Sequence, residues 1–294
     1  MAIDMQVWAL GADLLRAAAV GDVARLREAL VAWARVSEEF DEPASVGSVC
    51  TPHHGYTALI AAARNKYGNT ALIWAAMNNA KECVALLLLA VDGIDVNVQN
   101  KFGGTALIHA VFQNHKECVV LLLAADGIDV NVKNEDGDTA LIVAADKGHK
   151  GCVAPLLAAN GVDVNVQNDT DGNTALHVAA GAGHADVCTL LLTACAAVDA
   201  LASHGKTALH KAALYGHAAA AAALLRGGAS LRVEDGWGST AVQLAAASGF
   251  AECVEVLQCE ARWRRRRALA LVREQRRVAR DHWKRRGQGH SASK

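Results

Sequence analysis

The eight cysteines are the residues of this chain best suited to do chemistry, because thiolates bind zinc and form disulfides. Four of them stand at one position of a repeated phrase, each 13 residues after its threonine: Cys83, Cys118, Cys152 and Cys253. Equivalent positions in a repeat lie a whole unit apart, which is too far for one tetrahedral zinc or one disulfide. No Cys-x-x-Cys pair occurs. The cysteines are therefore predicted to be small buried side chains in a reducing cytosol.

Two further patterns resemble parts of ligand-binding motifs, but neither motif is complete. The stretch 204–207, His-Gly-Lys-Thr, has the end of a phosphate-binding loop, but the glycine required five residues before Gly205 is replaced by Ala200. Aspartates recur in pairs without the spacing of a calcium loop at Asp92, Asp95, Asp126 and Asp129. No nucleophile stands at a recognisable motif spacing from a base. We therefore expect a protein that is not an enzyme, with no cofactor and no metal.

A six-residue phrase, Thr-Ala-Leu-x-x-Ala, recurs at intervals of 33 to 35 residues and sets the architecture. Its copies begin at Thr70, Thr105, Thr139, Thr174 and Thr207, with a Thr-Ala-Val variant at Thr240. A glycine lies two residues before each threonine, and an apolar helix and a Gly-x-Asp-Val-Asn stretch follow in most units. One such helix pair cannot bury its apolar face alone, so the units must stack. The pattern predicts an all-α solenoid, in which alanine and leucine do the packing because aromatics are only 4% of the chain.

This repeat resembles the ankyrin repeat family. The matching features are the Gly-x-Thr-Ala-Leu-(His) phrase, the Gly-His turn and the Asp-Val-Asn ending. Alanine replaces the proline that the family favours, and the histidine remains only at His177 and His210. Where isoleucine or glutamine stands instead, we expect weaker hydrogen bonds between neighbouring loops: Ile73, Ile108, Ile142 and Gln243. The resemblance implies stacked helix pairs with projecting hairpin-like loops, a concave protein-binding surface and no catalytic activity.

The repeats divide the chain into five predicted segments. They are a degenerate N-terminal helical repeat (1–36), a loop (37–54), a truncated repeat (55–67), six ankyrin repeats (68–258) and a basic C-terminal helix and tail (259–294). The truncated repeat begins at Thr57, only 13 residues before Thr70, which leaves no room for a second helix. Either a half-repeat packs irregularly there or coding sequence is missing. A half-repeat would weaken its interfaces, so we expect the segment before Tyr67 to open separately from residues 105–258.

The resemblance also indicates which side chains face a partner. Loop tips lie three and one residues before each threonine, and the groove lies seven and eight residues after it. These columns hold aromatic residues at both ends of the array and acidic residues at its centre. The predicted protein-binding residues are Tyr67, Met77, Phe102, Phe112, Gln113, Asp136, Asp138, Asp171, His204, Lys206, Tyr215 and Trp237. We expect a partner with a basic middle and apolar ends, although packing between adjacent loops is an alternative role for the aromatics.

A Leu-x5-Asp-Val-Asn spacing recurs three times and resembles the site of the asparaginyl hydroxylase that acts on ankyrin repeats. The asparagines concerned are Asn97, Asn131 and Asn165. The alternative is that this spacing is structural in every well-formed repeat.

Charge is divided unequally along the chain. Residues 261–294 hold 13 of the 29 Lys and Arg but 2 of the 30 Asp and Glu, so this segment carries +11 and the remainder −12. Its basic clusters are Arg264, Arg265, Arg266 and Arg267, then Lys284, Arg285 and Arg286. The segment is predicted to be a basic amphipathic helix. It either caps the solenoid, imports the protein into the nucleus, binds nucleic acid or anionic membrane, or resembles a calmodulin target; we also expect residues 261–286 to lean on the acidic solenoid.

Two functions remain from the sequence. The first is a non-catalytic protein-binding adaptor or scaffold. The second is a regulatory or targeting subunit whose basic tail directs it to the nucleus, nucleic acid or anionic membrane. We expect a monomer with protein partners, in the cytoplasm or nucleus. Neither a secretory signal nor a membrane span is expected, since no window of 18 apolar residues occurs.

Overall fold

The structure is a computed structural model and describes residues 2–38, 65–90 and 94–288. These residues form fourteen α-helices and one short 3-10 helix, Ser203–Gly205. The helices are α1 (Ala2–Val20), α2 (Val23–Glu38), α3 (Ala71–Met77), α4 (Lys81–Ala90), α5 (Ala106–Phe112), α6 (Lys116–Leu123), α7 (Ala140–Asp146), α8 (Lys150–Ala158), α9 (Ala175–Ala182), α10 (Ala185–Thr193), α11 (Ala208–Leu214), α12 (Ala218–Arg226), α13 (Ala241–Ala247) and α14 (Ala251–Gln288). From α3 onward they form six pairs, each opened by a repeat threonine.

The threonine of each unit is the N-cap of a short first helix. The Oγ1 atom of Thr70, for example, accepts the backbone N–H of Ile73 at 3.3 Å. At Thr174 and Thr207 the capping histidine closes a reciprocal box, and Gln243 does the same at Thr240. These caps satisfy N–H groups that the start of a helix leaves without partners. The repeated threonine therefore fixes where each unit begins.

The units stack in one row, first helix on first helix and second helix on second helix. The buried side chains form one continuous apolar cluster from Leu14 to Leu257. Alanines on the first helices allow close approach, and one leucine per second helix fills each layer, as at Leu122, Leu156 and Leu191, which are fully buried. This linear core confirms the predicted all-α solenoid.

The turn inside each pair uses a left-handed residue followed in most units by histidine. Gly183 has φ +82°, and a Cβ atom there would lie 2.6 Å from the ring of His217 in the next unit. Asparagine takes the same conformation at Asn79 and Asn114. The next unit's histidine donates from Nε2 to the carbonyl oxygen that ends the preceding first helix, at 2.9 Å for His184 and Asp146. These histidines are therefore turn and packing groups.

The N-terminal helix pair packs directly on the first full repeat. Helix α1 contacts α3, and α2 contacts α4, with Leu14 and Leu26 fully buried. Gly21 turns between α1 and α2 at φ +74° and lies against Ala80. The predicted truncated repeat falls mostly outside the described residues. The first full repeat nevertheless has an apolar neighbour in this helix pair, and the separate opening of the segment before Tyr67 stays a prediction.

The last repeat is predicted from the sequence to end at residue 258, but no helix ends there in the structure. Its second helix and the basic segment form one helix, α14, because neither glycine nor proline interrupts the sequence between Ala251 and Gly287. Ion pairing between Arg264 and Glu260, at 2.8 Å, supports the join. Within residues 2–38, 65–90 and 94–288, no helix is long and apolar enough to cross a bilayer.

Candidate binding surface

The loop before five of the six repeat threonines is shaped by an asparagine or aspartate five or six residues earlier. The Oδ1 atom of Asn134 accepts the N–H groups of Asp136 and Asp138 at 3.0 and 2.8 Å. Asn65, Asn100, Asn168 and Asp235 make the corresponding bonds in their own loops. These side chains hold each loop in a tight turn and aim the middle residue outward.

That middle residue, three before the threonine, is exposed in all six units. The column, named here the outer tip column, is Tyr67, Phe102, Asp136, Asp171, His204 and Trp237. The rings of Tyr67 and Phe102 lie 6.4 Å apart, and Trp237 stacks on His204 at 4.9 Å. Exposed fractions nevertheless reach 44% at Tyr67, 56% at Phe102 and 65% at Trp237. The aromatics both pack between loops and present a face to solvent.

The second predicted tip column, one residue before the threonine, is largely buried. Asn69 and Asn173 are 5% and 7% exposed, and Asp138 is half-buried. These side chains accept hydrogen bonds from the next loop: Asn100 Nδ2 donates to Asn69 Oδ1 at 2.7 Å, and Asn168 Nδ2 donates to Asp138 Oδ1 at 2.9 Å. Asp138 therefore belongs to the contact between loops as well as to the surface. Lys206 is also half-buried, with its Nζ atom 4.8 Å from the ring centroid of Trp237.

One loop lacks the shaping side chain. Ala202 stands where the other units have asparagine or aspartate, although its backbone makes the same bonds, with the N–H of Ala202 on the Lys206 carbonyl at 2.8 Å. His204 in this loop has φ +61°, a left-handed conformation. The Oδ1 atom of Asn173, which would face the missing amide, has no hydrogen-bond partner. The Asp235 Oδ2 atom is the other buried side-chain oxygen without a partner among the described residues.

The groove adds side chains from the ends of the first helices. Phe112 is 49% and Tyr215 54% exposed, and Gln113 is exposed as well. The Nζ atom of Lys147 lies 5.3 Å from the Phe112 ring centroid. Met77 is half-buried, and its sulfur accepts from Asn69 Nδ2 at 3.8 Å. The groove therefore presents two large aromatic faces beside polar groups.

The centre of the surface is acidic. Asp136, Asp169 and Asp171 are exposed, and Lys133 pairs with Asp169 at 2.6 Å. Burial raises the pKa of Asp138, and the nearby carboxylates of Asp136 and Asp169 add to that rise, while the Asn168 hydrogen bond opposes it. A concentration of negative charge thus lies between the aromatic ends.

A sequence model of ankyrin repeats, three copies long, matches residues 72–168 and 150–235, which is more than half of the chain. The chain belongs to the ankyrin repeat family. Among solved structures, the ankyrin repeat domain of Bcl-3, a member of the IkappaB protein family, is similar with a TM-score of 0.66. The match covers 84% of this chain and 97% of that one at 24% identity, so it shows the fold alone. No curated protein matches the sequence.

Two of the ankyrin repeats keep the histidine that ties a unit to the next loop. Nε2 of His177 donates to the carbonyl oxygens of Ala200 and Lys206 at 3.0 and 3.1 Å, and His210 reaches Ser239 at 3.1 Å. Burial lowers the pKa of both histidines. The isoleucines of the first three ankyrin repeats have no polar atom in the side chain and cannot make these bonds.

The three candidate hydroxylation sites bridge successive ankyrin repeats. Nδ2 of Asn97 donates to the Gly127 carbonyl at 2.7 Å, and its Oδ1 accepts the N–H of Asp129 at 2.8 Å. Asn131 repeats both bonds one unit later, and Asn165 accepts from Ala197 at 2.8 Å. These bonds give the asparagines a structural role, and their hydroxylation stays a prediction.

The repeated cysteines are buried in the stack. The thiols of Cys118 and Cys152 approach the Oδ1 atoms of Asn79 and Asn114 in the preceding units, at 3.6 and 3.5 Å. Burial raises the pKa of Cys118 to about 11, so its thiol is protonated at neutral pH. In the part of the chain that the structure describes, no cluster of His, Cys, Asp and Glu has the arrangement of a metal site.

Arg264 differs from the other predicted tail residues. Its guanidinium donates to the carbonyl oxygen of Leu225 in the last turn of α12 and to that of Ala229 just beyond the helix, both at 2.8 Å, and so covers the C-terminal end of α12. Arg265, Arg266 and Arg267 are exposed. The predicted contact between residues 261–286 and the acidic solenoid is absent from the described side chains beyond Arg264, which are exposed. The side chains of Lys284, Arg285 and Arg286 lie outside the described ones.

The count of basic residues could not distinguish Arg264 from its neighbours. One signal was available: Arg264 continues the three- and four-residue spacing of Cys253, Leu257 and Glu260, which is the face that α14 turns toward the preceding unit. The shaping asparagines, by contrast, stand in the sequence five or six residues before their threonines.

Proposed function

We propose that this ankyrin repeat protein is a non-catalytic adaptor or scaffold that binds a protein partner through its outer tip column and groove. One observation carries the proposal. Five aromatic side chains in these columns are between 44% and 65% exposed: Tyr67, Phe102, Phe112, Tyr215 and Trp237. Aromatic side chains are the usual interface anchors, because one rigid group buries a large apolar area.

The rigidity of the stack supports the same conclusion. The loop of each unit donates to the loop of the preceding unit, as from Lys101 N–H to the Tyr67 carbonyl at 3.0 Å and from Glu135 N–H to the Phe102 carbonyl at 3.2 Å. A surface held in this way loses little conformational entropy when a partner binds. Ankyrin repeats are protein-interaction units, and the described exposed aromatics give this array its contact points.

The distribution of charge indicates the partner's chemistry. Aromatic residues with lysines beside them occupy both ends of the surface, as at Lys66 near Tyr67 and Lys206 near Trp237, while carboxylates occupy the centre. A partner with apolar groups at its ends and a basic middle is complementary to this order. The free thiols of the described cysteines suit a reducing, intracellular environment.

Photo-crosslinking tests the proposal at single residues. A photoreactive amino acid replaces Phe102 in one sample and Val120 in the other, and both are introduced into the source cells. Val120 is a matched control, since it is 48% exposed but lies on the second-helix side of its unit. We expect crosslinked protein partners from position 102 and not from position 120.

Affinity measurements then use the partner recovered by the crosslink. Phe102→Ala and Phe112→Ala should each weaken binding by a factor of about 30, the equivalent of about 2 kcal/mol, with little change in melting temperature. Val120→Ala should leave the affinity unchanged. If the aromatic variants lower the melting temperature and bind normally, the aromatics serve loop packing and the proposed surface is wrong.

A further inference from the structure

Helix α14 continues far beyond the solenoid that it closes. Its first turns are packed, with Cys253 and Leu257 fully buried, and Arg264 is the last residue with a hydrogen bond to the preceding unit. The described side chains of residues 265–278 are exposed. This segment, named here the arginine rod, is already helical, and its described side chains are exposed around the helix.

Four arginines of α14 share one face of the helix. At 100° per residue, Arg262, Arg266, Arg273 and Arg277 fall within a sector of about 60° and span about 22 Å along the axis. All four are exposed, and Arg277 makes an ion pair with Glu274 at 2.8 Å whose side chains are 71% and 55% exposed. The arrangement is a straight cationic stripe.

We propose that the arginine stripe binds the phosphate backbone of a single-stranded polynucleotide. Guanidinium groups match phosphate oxygens with two parallel N–H donors, which ammonium groups cannot do. Of the 13 basic residues in 261–294, 11 are arginine. A surface that needed only positive charge would not require arginine in place of lysine.

Trp263 supports a single strand over a duplex. Its side chain is 52% exposed next to the stripe, and Arg267 lies 5.2 Å from its ring centroid. Bases of a single strand stack on such rings, and this contact contributes about 1–3 kcal/mol per base. Stacked bases of a duplex are not available to it.

The apolar residues argue against a membrane. A helix that lies on a bilayer needs its apolar side chains on one face. Leu269 borders the arginine sector, about 20° from Arg262, whereas Leu271 and Val278 lie on the opposite side of the helix, and all three are exposed by half or more. The rod therefore has a cationic face without a matching apolar face.

The acidic solenoid confines the polynucleotide to the arginine stripe. Arg273 lies about 13 Å along the helix beyond Arg264, the last packed residue. This exceeds the screening length of about 8 Å at physiological salt, so repulsion from the solenoid is weak there. The same charge would repel phosphates from the aromatic and acidic binding surface.

The test measures fluorescence anisotropy of labelled oligouridylate and oligothymidylate with the full chain, between about 50 and 200 mM salt. With four phosphate contacts, the logarithm of the affinity should fall against the logarithm of salt with a slope of about −3. Replacing Arg266, Arg273 and Arg277 together by Gln should weaken binding at least tenfold and reduce the slope by about 2.

The matched control replaces Lys81, Lys116 and Lys150 by Gln. These lysines are exposed on second helices of the solenoid, and their loss changes the net charge by the same amount. The control should bind within a factor of two of the parent, and circular dichroism and thermal melting should be unchanged in both variants. Equal weakening by both triple variants would show that net charge alone governs binding and would overturn the proposal.

The same binding measurement is made with two other ligands. A duplex of the same length should bind more weakly than either single strand, and vesicles containing phosphatidylserine should not bind in preference to them. Tighter binding of the duplex or of the vesicles, or no oligonucleotide binding at the lowest salt, would also refute it.

Discussion

Restoring the missing shaping side chain by Ala202→Asn should stabilise the protein. An asparagine at position 202 places Oδ1 where it accepts the N–H groups of residues 204 and 206, as Asn134 does for residues 136 and 138. Its Nδ2 would face Asn173, as Asn100 faces Asn69 and Asn168 faces Asp138. The backbone needs no rearrangement at 202 itself, because its bond to the Lys206 carbonyl already matches those of the other loops.

The magnitude follows from the unpaired oxygen. A buried acceptor without a partner costs about 1–3 kcal/mol, and Asn173 is 7% exposed with its Oδ1 unpaired. Fixing the new asparagine side chain costs about 1 kcal/mol of conformational entropy. The two new bonds to backbone N–H groups offset that cost at about 0.5–1.5 kcal/mol each. We expect a net gain of about 1–2 kcal/mol, which raises the melting temperature by at least about 2 °C.

Urea unfolding and thermal melting of four proteins isolate the contact. They are the parent, Ala202→Asn, Asn173→Ala and the double variant. With the acceptor removed, the gain from Ala202→Asn should be smaller by about 1 kcal/mol. An equal gain in both backgrounds, or a loss of stability in the single variant, would refute the assignment of Asn173 as the orphaned partner.

The remaining predictions concern other contacts. Arg264→Ala should lower the free energy of unfolding by about 1.5–3 kcal/mol, because it removes two charged donors from the end of α12, whereas exposed Arg265→Ala should change it by less than about 0.5 kcal/mol; equal effects in urea would contradict the cap. Burial lowers the pKa of His177 in the folded protein below its ordinary 6.5. As the pH falls through 6.5, the histidine of the unfolded chain takes up a proton before that of the folded chain. The free energy of unfolding therefore decreases between pH 6.5 and the pKa of the folded state. His177→Gln, which can cap as Gln243 does, should flatten this loss in melts at decreasing pH, and an unchanged profile would count against it. Burial raises the pKa of Asp138, so Asp138→Asn should stabilise the protein at neutral pH by an amount that shrinks on acidification as the parent carboxyl takes up its proton; a pH-independent difference would exclude this cause.

The sequence predicted the elements well because each unit carries its own start signal. The threonine caps, the left-handed glycines and the buried cysteines all depend on contacts within one unit or at fixed repeat spacing. The exposure of Phe102 and Trp237 followed from the same periodicity.

The features that the sequence did not predict are contacts between neighbouring units. Asn69 and Asn173 occupy a tip column, yet they are buried because the next loop covers them. The cost of Ala202 becomes visible only when Asn173 is seen to lack its partner. Composition assigns Arg264 to the basic tail, because it does not show which guanidinium meets the carbonyls of Leu225 and Ala229.

The continuous helix α14 also limits how this array can change in length. Every interior unit ends in a loop that leads to the threonine of the next unit. A unit of about 34 residues can therefore be duplicated or deleted between two such loops. The last unit has no such loop: its second helix runs on to Gln288, and Arg264 occupies the carbonyls at the end of α12. A unit appended after it would have to break α14 first. Duplication within the gene can therefore lengthen the array from its interior, while the last unit and its helix α14 remain at the C-terminal end.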